Sequence, residues 1–491
     1  MGGEGERGNM RFRVLFNTFP LLAFIATQAL IGCGGGSGSG GQTTTYTLGG
    51  SLAGLAANQS VSLQDNGGDT LQLSANGPFS FPMSLGAGSA YVVTVQSHTP
   101  AVACSVSNGN GTVGSSNVTA INVSCAAGTQ TILYSFGASA ADGDEPYARL
   151  VRDSAGSLYG TTFRGGANDL GTVFKISASG AESVLYSFGA SASDGISPHG
   201  GLIMDSTGNL YGTTTEGGAI LSDSGTVYKI SPSGTETILY SFNLAPDAQG
   251  PYGDLIMDSA GNLYGTTDGG GVHSDSGTIF KISTSGTETV FYSFGAGAND
   301  GVQPEAGLIM DGAGNLYGTT MSGGANGRGT VFKIASGTET VLYSFGASAT
   351  DGTQAESDLI MDSAGNLYGT TPGGGANGHG TVFKIGASGT ETILYSFGAN
   401  ATDGQAPFGG LIMDSAGNLY GTTEGGGAHS NSGTVFKISA SGTETVLYSF
   451  GANAADGQYP TASLIMDSAG NLYGTTTAGG ANGWGTVFLI N

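Results

Sequence analysis

Two hydrophobic patterns divide this chain. Between residues 43 and 127, apolar and polar positions alternate in short runs: "SVSLQ" (60–64), "TLQLSA" (70–75), "PFSFPM" (78–83) and "AYVVTVQ" (90–96), separated by NGG, NG and GAG. Period-two alternation between glycine turns predicts half-buried strands, and this many in about 85 residues predict a β-sandwich. After residue 128 the apolar residues run together, as in "LIM" and "TVLYSF", the pattern of strands covered on both faces. No helical apolar spacing occurs after residue 33.

The second pattern is periodic. The tyrosine of "LYG" falls at 159, 211, 264, 317, 368, 420 and 473, a spacing of 51 to 53. Each unit holds four strand-like runs, A to D, as in 411–414, 418–423, 433–439 and 443–450. "SAG" and "ASG" supply tight A–B and C–D turns. Four antiparallel strands repeated seven times predict an all-β, seven-bladed β-propeller over 128–491. The array opens with a lone D-like run, "TQTILYSF" (129–136), and ends with A, B and C only, at "GTVFLIN" (485–491). The N-terminal strand is therefore expected to complete the last blade and close the ring.

The repeated segment "MDSAGNLYGTT", Met413 to Thr423, reads as structure. Its Asp and Asn suit the A–B turn, and the glycine after tyrosine is expected to admit an adjacent sheet. Alanine stands where a calcium loop needs an oxygen ligand, so no metal is expected.

Function is sought where the copies differ. Alternating chain direction puts the D–A and B–C loops on one face. One variable column, just before strand A, reads Tyr147, His199, Tyr252, Glu305, Glu356, Phe408 and Thr461. With strand A innermost, these residues are expected to rim the central channel. A second, after "GTT", reads Phe163, Thr215, Asp268, Met321, Pro372, Glu424 and Thr477. A third holds Leu170, Arg328, His379 and Trp484, the only tryptophan, with serine in the other blades. The same face carries His273 and His429. Aromatic faces beside carboxylates suit a sugar or a protein partner. Glu305 or Glu356 against Glu424 would suit acid–base catalysis, the alternative of a polysaccharide lyase or hydrolase. A purely structural surface-layer role is the third reading.

Composition narrows the choice. Glycine is 92 of 491 residues, with aromatic and β-branched residues between, as in a turn-dense β protein. The net charge is −23. Of ten cations beyond residue 33, six are lysines at one repeated position (Lys175, Lys229, Lys281, Lys333, Lys384, Lys437), leaving no basic stripe for nucleic acid. No G-x-S-x-G, H-E-x-x-H or phosphate-binding loop is found, and no cofactor is expected.

Residues 10–33 place Arg11 and Arg13 before an apolar run that ends Leu30-Ile31-Gly32-Cys33. This resembles a bacterial lipoprotein signal (1–33). The resemblance implies that Cys33 is lipidated and holds the protein at a membrane, and that the protein is exported, with the outer membrane or cell surface expected. Residues 34–42 read as a flexible Gly/Ser tether. Cys104 and Cys125 are expected to form a disulfide in an exported chain.

Residues 43–127 look like the immunoglobulin- or transthyretin-like spacers of bacterial surface proteins. Residues 128–491, through "GNLYGTT", "GGANGxGTVFKI" and "TETVLYSFG", resemble the Gloeo_Verruco tandem-repeat family of exported bacterial proteins, which implies the propeller and no known reaction. The phrase D-x-x-G-N-L-Y is also similar to that of the streptogramin lyases, a likeness that would make a ring histidine a base.

Overall fold

The computed structural model describes residues 44–55, 59–98, 102–127, 129–219, 224–243, 246–273 and 275–491. The signal, Cys33 and the tether lie outside them. Residues 45–127 form two four-stranded sheets, one ordered Gly77–Ser80, Leu48–Ala53, Val118–Ala127, Val102–Ser107 and the other Asp69–Leu73, Val61–Asp65, Ala90–His98, Asn110–Thr112. Their alternate residues, among them Leu52, Val61, Leu63, Ile121 and Val123, make one core. Cys104 and Cys125 are cross-strand neighbours joined by a disulfide.

Seven further four-stranded antiparallel sheets follow, each ordered A-B-C-D. In the sixth these strands are Ile412–Met413, Leu419–Thr423, Thr434–Ile438 and Glu444–Ser449. The last sheet takes its outer strand from Gln130–Ser135, where Ile132 pairs with Phe488 and Tyr134 with Val487. Seven apolar clusters fill the junctions between sheets, and one joins Phe136 and Val487 to Leu150, Leu158 and Phe174 of the first blade. A linear stack of seven sheets has six junctions, and the seventh closes the ring. At each junction an aromatic of strand D meets one of strand C in the next blade edge-on, as Phe450 meets Phe488 at 5.0 Å and Phe136 meets Phe174 at 5.0 Å.

The repeated turn is held by its aspartate. Asp414 accepts from the backbone N–H of Ala416 and Asn418 (2.9 Å each), the Asn418 side chain (2.7 Å) and the Tyr420 hydroxyl (2.9 Å). All four donors point hydrogen at the carboxylate, which leaves it no free lone pair for a cation. The six lysines also find a structural use in five cases. Lys437 sits opposite Tyr420 on the neighbouring strand with its ammonium 5.8 Å from the ring centroid, and Lys175, Lys281, Lys333 and Lys384 repeat the contact. The last blade has Leu489 at this position, and Arg152 of the first blade covers Tyr473 at 5.6 Å.

One expectation needs correction. The glycine after tyrosine admits no adjacent sheet. A Cβ on Gly421 would stand 2.7 Å from Cζ of Phe436, its cross-strand partner in the same blade. Two features had not been expected. Every C–D ladder carries a bulge, as between Val435 and Phe436. Every blade also pairs its D–A loop with its B–C loop in a two-residue ribbon, as Gly404–Gln405 with Gly425–Gly426.

Candidate functional site

Those ribbons bring the variable columns together. After each ribbon comes a residue in the left-handed region, Glu145 (φ 56), Ser197 (φ 58), Gln303 (φ 59), Gln354 (φ 62), Ala406 (φ 53) and Tyr459 (φ 58), with Gly250 in the third blade. None of these six side chains is of the types that tolerate this region best (Asn, Asp, His), which marks the loops as held by their surroundings. The clamp is bidirectional. In the first blade Glu145 donates its N–H to the Trp484 carbonyl of the preceding blade (3.2 Å), and its carbonyl accepts from the N–H of Phe163 (3.0 Å). One residue, usually proline, separates the clamp from the pre-A column.

Strand B steadies the next blade. In six of the seven blades, all but that of Thr213, the first threonine of "GTT" donates its hydroxyl to the carbonyl beside that column, as Thr422 to Ala462 (2.9 Å) and, across the closure, Thr475 to Ala148 (3.2 Å).

The result is a three-tiered channel mouth of about 110 Å³. All seven residues of the pre-A column line it: Tyr147, His199, Tyr252, Glu305, Glu356, Phe408 and Thr461. They are sorted by chemistry. His199 stacks on Tyr147 (centroids 5.3 Å, planes 18° apart) and meets Tyr252 edge-on at 5.0 Å, while Phe163 stands edge-on to Tyr147 at 5.7 Å. Glu305 and Glu356 follow on the next two blades. Burial and then the neighbouring Glu356 charge push Glu305 up to about 7, and burial pushes Glu356 up to about 7. Burial lowers His199, so its imidazole is neutral near pH 7.

The floor of the mouth went unnoticed in the sequence. Two residues past the rim the column reads Arg149, Gly201, Asp254, Gly307, Asp358, Gly410 and Ser463. Arg149 forms an ion pair with Asp254, which also accepts from the N–H of Gly201. Asp358 accepts from the N–H of Gly307 at 2.7 Å. Burial and then Asp254 push Asp358 up to about 6, against the pull of Arg149. Three charged residues in a column otherwise of Gly and Ser were the available signal.

Four predicted residues lie elsewhere. Phe163 stands against Tyr147 without lining the cavity, and Asp268, raised first by burial, lies near Tyr252 and likewise does not line it. Glu424 lines a separate groove of about 320 Å³ with His379 and Tyr459, so it does not face Glu305 or Glu356 as the acid–base pairing required. Trp484 does not reach the rim. Its ring rests on Gly137, where a Cβ would lie 2.2 Å from Cδ1, and it stays 49% exposed. His199 is the only histidine at the mouth among the described residues. Clefts of about 790 and 630 Å³ on the A–B/C–D turn side are lined in the propeller by repeated turn residues such as Asp414 and Ser439.

No curated protein matches the sequence. Among solved structures, the chain is similar to the extracellular domain of the one component system BT4673 from B. thetaiotaomicron (12% identity, 73% of this chain and 39% of that one, TM-score 0.46). It is also similar to the extracellular domain of the hybrid two component system BT3049 from the same organism (11%, 86% and 53%, TM-score 0.46) and to a protein described as a gluconolactonase (13%, 74% and 92%, TM-score 0.39). The chain thus spans about two fifths of the first of these and half of the second. The model of the Gloeobacter/Verrucomicrobia repeat matches residues 93–312 and 296–488, which together take in every blade. The chain belongs to the Gloeobacter/Verrucomicrobia repeat family.

Proposed function

We propose that this protein is a binding or scaffolding module that takes a carbohydrate or protein ligand at the channel mouth, on the D–A/B–C loop face. One observation carries the reading. All seven residues of one column that differs between copies converge on one cavity, while the residues common to the copies are consumed in turns and junctions. The sequence around Cys33 supports export and lipid anchoring, with 34–42 as tether and 43–127 as spacer beneath the propeller. The Cys104–Cys125 bridge favours an oxidising compartment.

The lyase or hydrolase reading has less behind it. His199 is packed between two tyrosines, and Glu424 belongs to another groove. Glycan-array and surface-protein binding, compared between the native chain and Tyr147→Ala and Tyr252→Ala, tests the proposal. Binding is expected to fall by at least about tenfold, the loss of about 1.4 kcal/mol. Unchanged binding in both variants sinks it.

A further inference from the structure

The mouth is divided into an aromatic arc and an acidic arc, and among the described residues no cation pairs with the two glutamates of the acidic arc. Tyr147, His199 and Tyr252 occupy three successive blades, and Glu305 and Glu356 the next two. The one guanidinium nearby, Arg149, is engaged with Asp254 in the floor. Arg164 pairs with Glu145, and among the described residues neither glutamate of the rim has a cationic partner. Counting Glu305, Glu356, Asp254 and Asp358 against Arg149 leaves the lining strongly electronegative when the acids are ionised.

We infer that the mouth accepts an organic cation, an ammonium head group held between the aromatic arc and the Glu305–Glu356 pair. This rests on the reading of the mouth as the ligand site and names the chemistry it takes. A hard metal ion fits poorly, because it wants six or more oxygen ligands and the rim offers two carboxylates beside hydrocarbon rings. An alkylated or sugar-borne ammonium fits well. Its low charge density makes desolvation cheap, aromatic faces within about 6 Å attract it, and one glutamate on each of two blades supplies the counter-charge. The cavity, about 110 Å³, has room for three or four waters at about 30 Å³ each, which suits a head group. The same charge that now raises Glu305 would be relieved by such a guest.

The test is calorimetric titration of the full chain at low ionic strength with three probes: choline, the glucosamine tetramer and the neutral N-acetylglucosamine tetramer. Both cations are expected to bind, the charged tetramer at least about tenfold tighter than its neutral counterpart, with a loss of about tenfold or more in Glu305→Gln/Glu356→Gln. Choline binding as well as the tetramer identifies the head group alone as the determinant, and binding by the tetramer only identifies an amino sugar. Thermal melts of the double variant, expected at or above the native Tm, exclude misfolding as the cause. Equal or tighter binding of the neutral tetramer, no binding of either cation, or no loss in the double variant overturns the inference. If the neutral tetramer binds and Tyr147→Ala abolishes it, the mouth remains the site and only its cation chemistry is wrong.

Discussion

Gln130 reaches across the ring closure and donates its side-chain amide to Asp456, 3.4 Å away. At the other six junctions a glutamate occupies the place of Gln130. Glu182, Glu236, Glu288, Glu339, Glu391 and Glu444 face Asp142, Asp194, Asp247, Asp300, Asp351 and Asp403. A strand-D tyrosine donates to each aspartate, as Tyr186 to Asp194 at 2.9 Å and Tyr448 to Asp456 at 2.9 Å. One oxygen of each glutamate is buried without a partner. A carboxyl placed beside a carboxylate keeps its proton, and that proton is the donor the pair otherwise lacks. The clasp alone does without it, since an amide donates at every pH.

Stability should therefore depend on pH from both sides. Burial and then the facing aspartate raise the glutamates from 4.5 to about 7 (Glu182) and about 8 (Glu236), so the folded state binds more protons than the unfolded chain. Their contribution is complete below about pH 4.5 and is lost as pH rises through 7 to 8. The turn aspartates act oppositely. Burial raises them, but hydrogen bonds from the asparagine and its N–H outweigh it, bringing Asp311 from 3.8 to about 2. That contribution is present above 3.8 and lost on acidification toward 2. Thermal melts across pH should peak between about 4 and 5, and a maximum at pH 8 or above would refute the acid-pair account.

Gln130→Glu should create a seventh acid pair at the clasp. At acid pH the Tm is expected to stay within about 1 °C of native, and above pH 8 to fall by about 3 °C, the response to about 2 kcal/mol in a domain of this size. Glu182→Gln should shift the alkaline Tm the other way. The paired melts at two pH values are the measurement.

Closure itself can be read from one side chain. Phe136 is fully buried against Phe174 of the first blade, as Phe188 is against Tyr228 at an ordinary junction. Phe136→Ala and Phe188→Ala should each cost about 3–5 kcal/mol in denaturant titration. A negligible cost at Phe136 alone would mean an open ring.

Asp414→Ala removes the acceptor of four hydrogen bonds at one turn. A loss of about 2 kcal/mol is expected from the donors left unpaired, of which the half-buried Asn418 amide matters most. The same substitution at Asp153, whose turn lacks the asparagine, should cost less. Chemical denaturation of both variants checks the ranking.

Reducing Cys104–Cys125 should destabilise the sandwich by about 3 kcal/mol in the chain-entropy account, for a sequence separation of 21. Differential scanning calorimetry with and without reductant should move the sandwich transition and leave the propeller transition in place.

The order of strands, their number, the tight turns and the meeting of the two chain ends could all be read in advance, because each is written in short-range terms. Alternation, turn chemistry and a missing strand at one terminus are properties of neighbouring residues. So was the identity of the rim, since position before strand A is a matter of register, and Tyr147, His199, Tyr252, Glu305, Glu356 and Phe408 do meet. What the ring decided is how residues about 52 apart combine across blades. It set the aromatic and acidic arcs side by side, turned Glu424 into another groove, laid Trp484 on Gly137, and brought Arg149 to Asp254. It also brought Glu236 of strand D against Asp194 of a D–A loop, a pairing of two repeated positions that their spacing does not reveal. Those contacts depend on the radius at which seven twisted sheets close, and that radius is a property of packing between blades that no single repeat contains.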